Sequence, residues 1–232
     1  MKKIKSKYLD RVKDLETIKE VFDKFGVPFY IVYGAVLGLH RDGDFIEHDD
    51  DIDLAVCWGR EDNTGKENNL HKCVDFETRK KIGWALYDLG FQPQPICFNV
   101  FGRMEPSEIG YNGGENSGII VCERNYKFTI FFFEPHTCTY HNCQELICYP
   151  KLGSLPLIAT PTGFFVEKKA EKVKINGKEY LLPSPIDKYL EIHYKDWRDR
   201  QGREHSPTYF EAHPEDAAML NLEGKNNAMI LK

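Results

Sequence analysis

The run Asp49-Asp50-Asp51-Ile52-Asp53-Leu54-Ala55-Val56 constrains this chain more than any other stretch. Four carboxylates fall in five positions and lead straight into an apolar segment. Alternation along a strand puts Asp51 and Asp53 on one face and Ile52, Leu54 and Val56 on the other. Carboxylates held side by side repel unless a cation lies between them. All-oxygen ligation at a strand end suits Mg²⁺, or Mn²⁺, which keeps waters and accepts further oxygens from a phosphate-bearing substrate. The pattern reads as a metal platform for phosphoryl or nucleotidyl chemistry. Two blander readings compete with it. A solvated acidic loop would not run directly into Leu-Ala-Val-Cys. An EF-hand shares the first spacings, Asp49, Asp51 and Asp53, but needs Gly at its sixth position and Glu at its twelfth. Leu54 and Arg60 stand there instead.

The residues before the acids sharpen the reading. Pro28 to Tyr33 has the apolar, aromatic character of a buried strand. Gly34-Ala35 then reads as a small-residue turn, and Val36 to Arg41 as a short helix. Such a junction turns free N–H groups toward a phosphate, and Gly34 permits close backbone approach. The loop Asp42 to His48 returns the chain to the acid strand.

Tyr33-Gly34-Ala35-Val36-Leu37-Gly38-Leu39-His40-Arg41, then Phe45-Ile46, then Asp49-Asp50-Asp51-Ile52-Asp53, resembles the LicD/fukutin family. That family's pattern runs Gly-Gly-Thr-Leu-Leu-Gly, an Arg, Phe-Ile-Pro-Trp and Asp-Asp-Asp-Ile-Asp. Pro185 to Trp197 resembles its closing helix, which ends in Tyr-Gly-Asp-Trp; Tyr194, Asp196 and Trp197 carry that match. The resemblance implies a mixed α/β nucleotidyltransferase-like fold of the DNA polymerase β type, with a central mixed sheet flanked by helices. It implies Mg²⁺-dependent transfer of a phospho-alcohol, such as phosphocholine or ribitol phosphate, from a CDP-linked donor to a sugar hydroxyl of a glycan. Asp51 and Asp53 would ligate the metal, with Asp49 as a supporting acid. Gly34 and Ala35 would line the phosphate turn, Arg41 would face the diphosphate, and Tyr194, Asp196 and Trp197 would border the donor pocket.

Several positions depart from the family pattern. Ala35 replaces a Thr and Glu47-His48 replaces Pro-Trp. The family's third carboxylate, on a later strand, corresponds to Thr129 within Phe128 to Glu134. A third acid normally completes the metal site or activates the attacking hydroxyl. Glu134 would face away from Thr129 on a regular strand and reach the site only through a bulge. Two further readings therefore stay open: a transferase placing NMP from an NTP on a small molecule or protein, and a catalytically weak nucleotide-binding domain.

Composition agrees with a single main domain over residues 1–200 and a polar tail over 201–232. A hydrophobic share of 41% within 232 residues supplies a sizeable core. The net charge is −5, and seven acids lie between Asp42 and Asp53, so no basic field suits nucleic acid and a small nucleotide donor fits better. No apolar run approaches membrane-spanning length, and the lysine-rich start lacks a signal peptide's apolar stretch, so the chain reads as cytoplasmic.

Seven cysteines without export signals imply mostly reduced thiols. His136, Cys138, His141, Cys143 and Cys148 crowd thirteen residues within a candidate insertion over 134–150, and a further ligand could come from elsewhere, such as Cys122. This run is either a structural Zn²⁺ site of non-standard spacing or a Cys/His-rich loop without metal. Elsewhere, Tyr8, Val12, Leu15, Ile18, Phe22 and Phe25 predict an amphipathic helix that packs across the sheet. Phe76 to Leu89 predicts a second helix, and Gly59 to Asn69 a polar loop. Strands are expected at Pro95 to Phe101, Ile119 to Cys122 and Phe128 to Phe133. Asn176-Gly177 marks a hairpin within 172–182. The following helix aligns Tyr189, His193 and Trp197 at four-residue steps, a packing face for most of them.

Overall fold

The computed structural model describes residues 1–56, 59–60, 70–71, 74, 76–93, 119–132, 134–138, 143–148, 158–165, 167–194 and 196–199. The chain opens with strand β1 (Lys2–Ile4) and helix α1 (Leu9–Lys24). The expected apolar stripe of α1 is buried: Val12, Leu15, Ile18 and Phe22 face the core, joined by Val21. Gly26, at φ 64°, ends the helix, and Val27 N–H donates to the Phe22 carbonyl at 3.0 Å. That left-handed residue with a back-reaching N–H satisfies carbonyls that the last turn leaves open.

Strand β2 is short (Tyr30–Ile31) and helix α2 spans Tyr33–Leu37, continuing as a π-helical turn over Gly38–Asp42. This corrects the expectation of a strand reaching Tyr33 and a turn at Gly34-Ala35. Both residues lie inside the first helical turn. The reversal falls on Tyr33 itself, which adopts φ 49°, a left-handed conformation rare for an aromatic residue. Tertiary contacts hold it there. Its N–H donates to the Tyr189 hydroxyl at 3.3 Å, and its ring packs edge-on against Phe131 and His193. Local sequence pattern carries no trace of such support.

Strand β3 (Asp51–Val56) follows, then the two-residue strands β4 (Gly59–Arg60) and β5 (Leu70–His71), which pair with each other. The segment read as a polar loop thus begins with a strand. Helix α3 (Phe76–Asp88) is closed by Gly90 at φ 90°, and strand β6 (Gln92–Pro93) comes next. The expected strand at 95–101 and the Gly/Asn-rich stretch at 105–117 lie outside the described residues. Strands β7 (Ile119–Glu123) and β8 (Lys127–Phe132) agree closely with expectation. Strands β9 (Glu134–Cys138), β10 (Cys143–Cys148) and β11 (Ile158–Pro161) form a separate antiparallel sheet. A hairpin of β12 (Glu171–Ile175) and β13 (Lys178–Leu182) turns at Asn176 and Gly177, with φ of 44° and 102°. Positive φ at both positions is the geometry that Asn-Gly favours in two-residue hairpin loops.

Helix α4 (Ile186–His193) ends sooner than its four-residue pattern suggested. Tyr194 is extended, at φ −142° and ψ 123°, so Trp197 leaves the helical line. The buried stripe of Ile186, Tyr189 and Leu190 is followed by exposed Asp196 and Arg198, so little apolar surface would reward further turns. The extension instead lays the buried Trp197 ring against His40, with centroids 5.3 Å apart.

Among the described residues the main sheet has eight strands in the order β1-β12-β13-β2-β3-β8-β7-β6. It mixes parallel pairs (β1–β12, β13–β2, β3–β8) with antiparallel ones, and β3 lies at its centre. This is a mixed α/β architecture. One sheet face presents Ile52, Leu54, Val56, Phe128, Ile130 and Phe132, all buried. Phe22 of α1 stacks on Phe132, and Arg79 of α3 lies over the same ring, so α1 and α3 cover this face. Alternation turns Asp51, Asp53, Lys127 and Thr129 to the opposite face, where Tyr33 of α2 meets Phe131. Among the described residues, no helix is long and apolar enough to cross a membrane.

Candidate active site

The acids are held from behind by α1. Arg11 forks its guanidinium onto the loop before β3, donating to the carbonyls of Ile46 at 2.7 Å, Glu47 at 2.9 Å and Asp49 at 3.3 Å. The same guanidinium lies between the rings of Tyr8 and Tyr126, 4.4 and 4.2 Å from their centroids. The Tyr126 hydroxyl also donates to the Asp49 carbonyl. Burial pushes the Tyr126 hydroxyl up to about 12, so it stays a donor across the working pH range.

One turn along α1, fully buried Asp14 fixes the β7–β8 connection. It accepts from Arg124 Nε at 2.9 Å and Nη2 at 2.7 Å, and from the Asn125 side chain at 2.8 Å. The backbone N–H groups of Asn125 and Tyr126 donate to its other oxygen at 2.8 and 3.0 Å. Helix α1 therefore sets the position of both strands that build the site.

The glycine-led helix meets the acids directly. A Cβ on Gly34 would stand 2.6 Å from Asp49 Oδ2, so the glycine is required by the carboxylate beside it. Gly38 has a parallel role, since its Cβ would meet the Asp44 carbonyl at 2.7 Å and the Ile46 nitrogen at 2.8 Å. Ala35 is buried, so its methyl belongs to the core, while its N–H lies in the open first turn of α2.

Asp49, Asp50 and Asp51 bring carboxylate oxygens within 4.8 Å of one another. Asp53 lies on the same strand face as Asp51 and one step deeper. Burial pushes the Asp49 carboxyl up to about 6, with the charges of Asp51 and Asp50 adding and Arg11 opposing. Burial, then Asp51 and Asp49, push Asp53 well above the usual carboxylate range. Crowded, partly desolvated carboxylates of this kind suit a hard divalent cation, which takes oxygen ligands and offsets their repulsion. Asp50 differs, because its hydrogen bond to Lys127 and the nearby ammonium hold it below the usual range.

Strand β8 runs parallel to β3, with Lys127 beside Asp51 and Thr129 beside Asp53. The Thr129 hydroxyl donates to Asp51 Oδ2 at 2.9 Å. Thr129 thus stands where the sequence placed it, opposite the acid pair, and orients an acid. Lys127 Nζ lies 2.8 Å from Asp50 Oδ2 and 3.6 Å from Asp51 Oδ2. Burial alone would lower the Lys127 ammonium, but the bond to Asp50 and the charges of Asp51 and Asp50 raise it overall.

The late-chain residues reach the site unequally. Tyr194 feels Asp53, Asp49 and Arg41 through space, and burial, with both acids adding, pushes its hydroxyl up. Arg41 spans Asp42, at 2.8 Å, and the Trp197 carbonyl, at 3.5 Å, tying the π-helical turn to the chain after α4. Trp197 lies between His40 and the Arg198 guanidinium, which sits 4.1 Å from its ring centroid. Asp196 is exposed on the turn. Burial pulls His193 down to about 4, leaving a neutral ring packed against Tyr189 and Tyr33.

The candidate zinc run splits across β9 and β10, where Cys138 is in register with Cys143 and His136 with Glu145; Cys148 ends β10, and His141 lies outside the described residues. Cys122 is buried in β7 of the main sheet.

Sequence reading missed Arg11, Asp14 and Lys127. Asp14 alone left a signal, as a charge beside the apolar stripe of an amphipathic helix. The mixed sheet thus offers neighbouring carboxylates beside the helix that carries Gly34. Residues 26–91 match the family model described as LicD/FKTN/FKRP, nucleotidyltransferase domain, so the resemblance is shown over that segment and points to a transferase. No curated protein matches the chain. The match covers Gly34, Arg41 and all four acids, whereas Arg11, Lys127, Thr129 and α4 lie outside it.

Proposed function

We propose that this chain is a LicD-type transferase that moves a phospho-alcohol from a CDP-linked donor to a sugar hydroxyl of a glycan or glycoconjugate. The observation that carries the reading is the packing of Gly34 against the Asp49 carboxylate, which joins the glycine helix and the acids in one site. Asp51 and Asp53, with Asp49 in support, would hold Mg²⁺ or Mn²⁺. The ion, when bound, supplies positive charge against the diphosphate as CMP leaves.

The chain's own residues do the positioning. Thr129 fixes Asp51 through its hydroxyl, and Arg11 fixes the acid loop through three carbonyls. Arg41 lies on the side of Tyr194 and Trp197, where it can meet a diphosphate oxygen by exchanging Asp42. The N–H groups of Gly34 and Ala35 lie in the first turn of α2, where a helix has no acceptors of its own, and would serve the donor's phosphates. The domain boundaries follow the same reading: residues 1–200 as the transferase domain, with a Cys/His-rich insertion at 134–150, and 201–232 as a polar tail. Zn²⁺ in that insertion is a separate proposal, checked by metal analysis of purified protein.

Thermal-shift screening with Mg²⁺ and CDP-choline, CDP-ribitol, CDP-glycerol, CTP or ATP tests the reading. A ligand at one hundred times its Kd stabilises the native state by about 2.7 kcal/mol. Selective stabilisation by one CDP-alcohol, followed by release of CMP, is expected. Asp51→Asn and Asp53→Asn should each abolish turnover and leave the circular dichroism spectrum unchanged. Full turnover in both variants would falsify the assignment. Release of pyrophosphate from an NTP would support nucleotidyl transfer instead. Binding without turnover would fit Thr129 standing at the place of the third acid.

A further inference from the structure

The acid cluster has a cation of its own. Lys127 comes from β8, beyond the segment matched to the family, and its register beside Asp51 is fixed by the parallel β3–β8 pairing. Its ammonium lies 2.8 Å from Asp50 Oδ2 and 3.6 Å from Asp51 Oδ2. Asp51 Oδ2 also accepts from Thr129 at 2.9 Å. The carboxylates that Lys127 touches are two of the three whose oxygens converge within 4.8 Å. A divalent ion bound at Asp51 would lie close to the ammonium, and two cations drawn to one carboxylate repel.

Lysine suits such an exchange. It is a compact charge on a four-carbon stem, with three donors that reorient without a fixed plane. The Lys127 side chain is 27% exposed and that of Asp50 is 84% exposed, so the ammonium has room to swing outward. Beside a bound metal, the group that most needs a further cation is the diphosphate that the metal holds.

We propose that Lys127 is an exchangeable cation of this site: it pairs with Asp50 and Asp51 until a divalent ion takes Asp51, then turns its ammonium to the diphosphate of the bound substrate. The second half rests on the CDP-donor reading; the first half stands on the acid geometry alone. The two steps have opposite signs for one substitution, which separates them from a purely structural role.

Mn²⁺ titration followed by electron paramagnetic resonance, and pyrophosphate binding by calorimetry at saturating Mn²⁺, test the proposal in the full chain. Lys127→Met should bind Mn²⁺ about fivefold tighter, since a competing charge is gone. The same variant should bind pyrophosphate about tenfold more weakly, since a charge-assisted contact is lost. Lys127→Arg should keep pyrophosphate binding within about threefold, as the charge is retained. Lys127→Gln carries the same test if the Met variant fails to fold. Weaker Mn²⁺ binding in the Met variant, or unchanged pyrophosphate affinity, overturns the proposal. Opposite shifts of the two affinities support it even where no CDP-alcohol is turned over, so failure of the donor reading shows separately. Absence of Mn²⁺ binding from both wild type and Lys127→Met overturns both readings together.

Discussion

Asp49→Asn should stabilise the metal-free protein at neutral and alkaline pH. The Asp49 carboxyl sits at about 6, against an ordinary value of 3.8, because burial and the charges of Asp51 and Asp50 resist its ionisation. A carboxyl raised on folding binds its proton more tightly in the native state than in the unfolded chain. Its favourable contribution is complete below the ordinary value and is lost as pH rises through about 6. Tenfold in protonation is worth about 1.4 kcal/mol, so the full elevation corresponds to about 3 kcal/mol. The side chain is partly solvated, and screening reduces this to about 1–2 kcal/mol. For a chain of this size that is a rise in Tm of about 2–8 °C at pH 8. Melting in EDTA at pH 8 and at pH 3.5 measures it, with the gain expected only at pH 8. Added Mg²⁺ should then favour the wild type, because ligation removes the repulsion that the substitution relieves. A variant less stable than wild type at pH 8, or an equal gain at both pH values, would refute the electrostatic account of this cluster.

Two further substitutions test how the site is built. Asp14→Ala strands the Arg124 guanidinium and the N–H groups of Asn125 and Tyr126, and loss of a buried charged partner costs about 3–5 kcal/mol; urea unfolding should show that loss, and a change below about 1 kcal/mol would contradict the clamp. Gly34→Ala drives a methyl to 2.6 Å from Asp49 Oδ2, so the carboxylate must move; overpacking should cost about 1–3 kcal/mol and weaken Mn²⁺ binding. Gly163→Ala, where a Cβ meets nothing within 4 Å, is the control and should stay within about 0.5 kcal/mol in the same melting assay.

What the sequence made legible was local. Alternation alone separates Asp51 and Asp53 from Ile52, Leu54 and Val56, and the structure keeps that division. Asn176-Gly177 announces its hairpin because few other pairs adopt positive φ twice in succession. The start of α2 was misplaced for the opposite reason: Tyr33 turns the chain with the support of distant residues, among them Tyr189, 156 residues away, which receives its N–H. The end of α4 was overrun because a four-residue aromatic repeat looks the same whether its last member sits on the helix or on the turn beyond it. Arg11 and Asp14 escaped notice because their partners lie 35 to 112 residues distant, out of reach of any periodicity. Thr129 was located correctly because a strand's phase is fixed by its apolar residues. Lys127, two positions earlier on that phase, was overlooked because the reading sought a negative group and passed over a positive one.

The pairing of β3 with β8 has a consequence for how the molecule matures. Asp51 and Lys127 come into register across 75 intervening positions, and α1 must already be in place for Asp14 to hold the β7–β8 bend. Closing such a distant parallel pair is among the slower events a chain undergoes, since entropy is lost well before contacts compensate. Ion affinity should therefore emerge late in refolding, after helical signal has recovered, and a chain with its helices formed but its central ribbon unjoined should have no grip on a divalent ion.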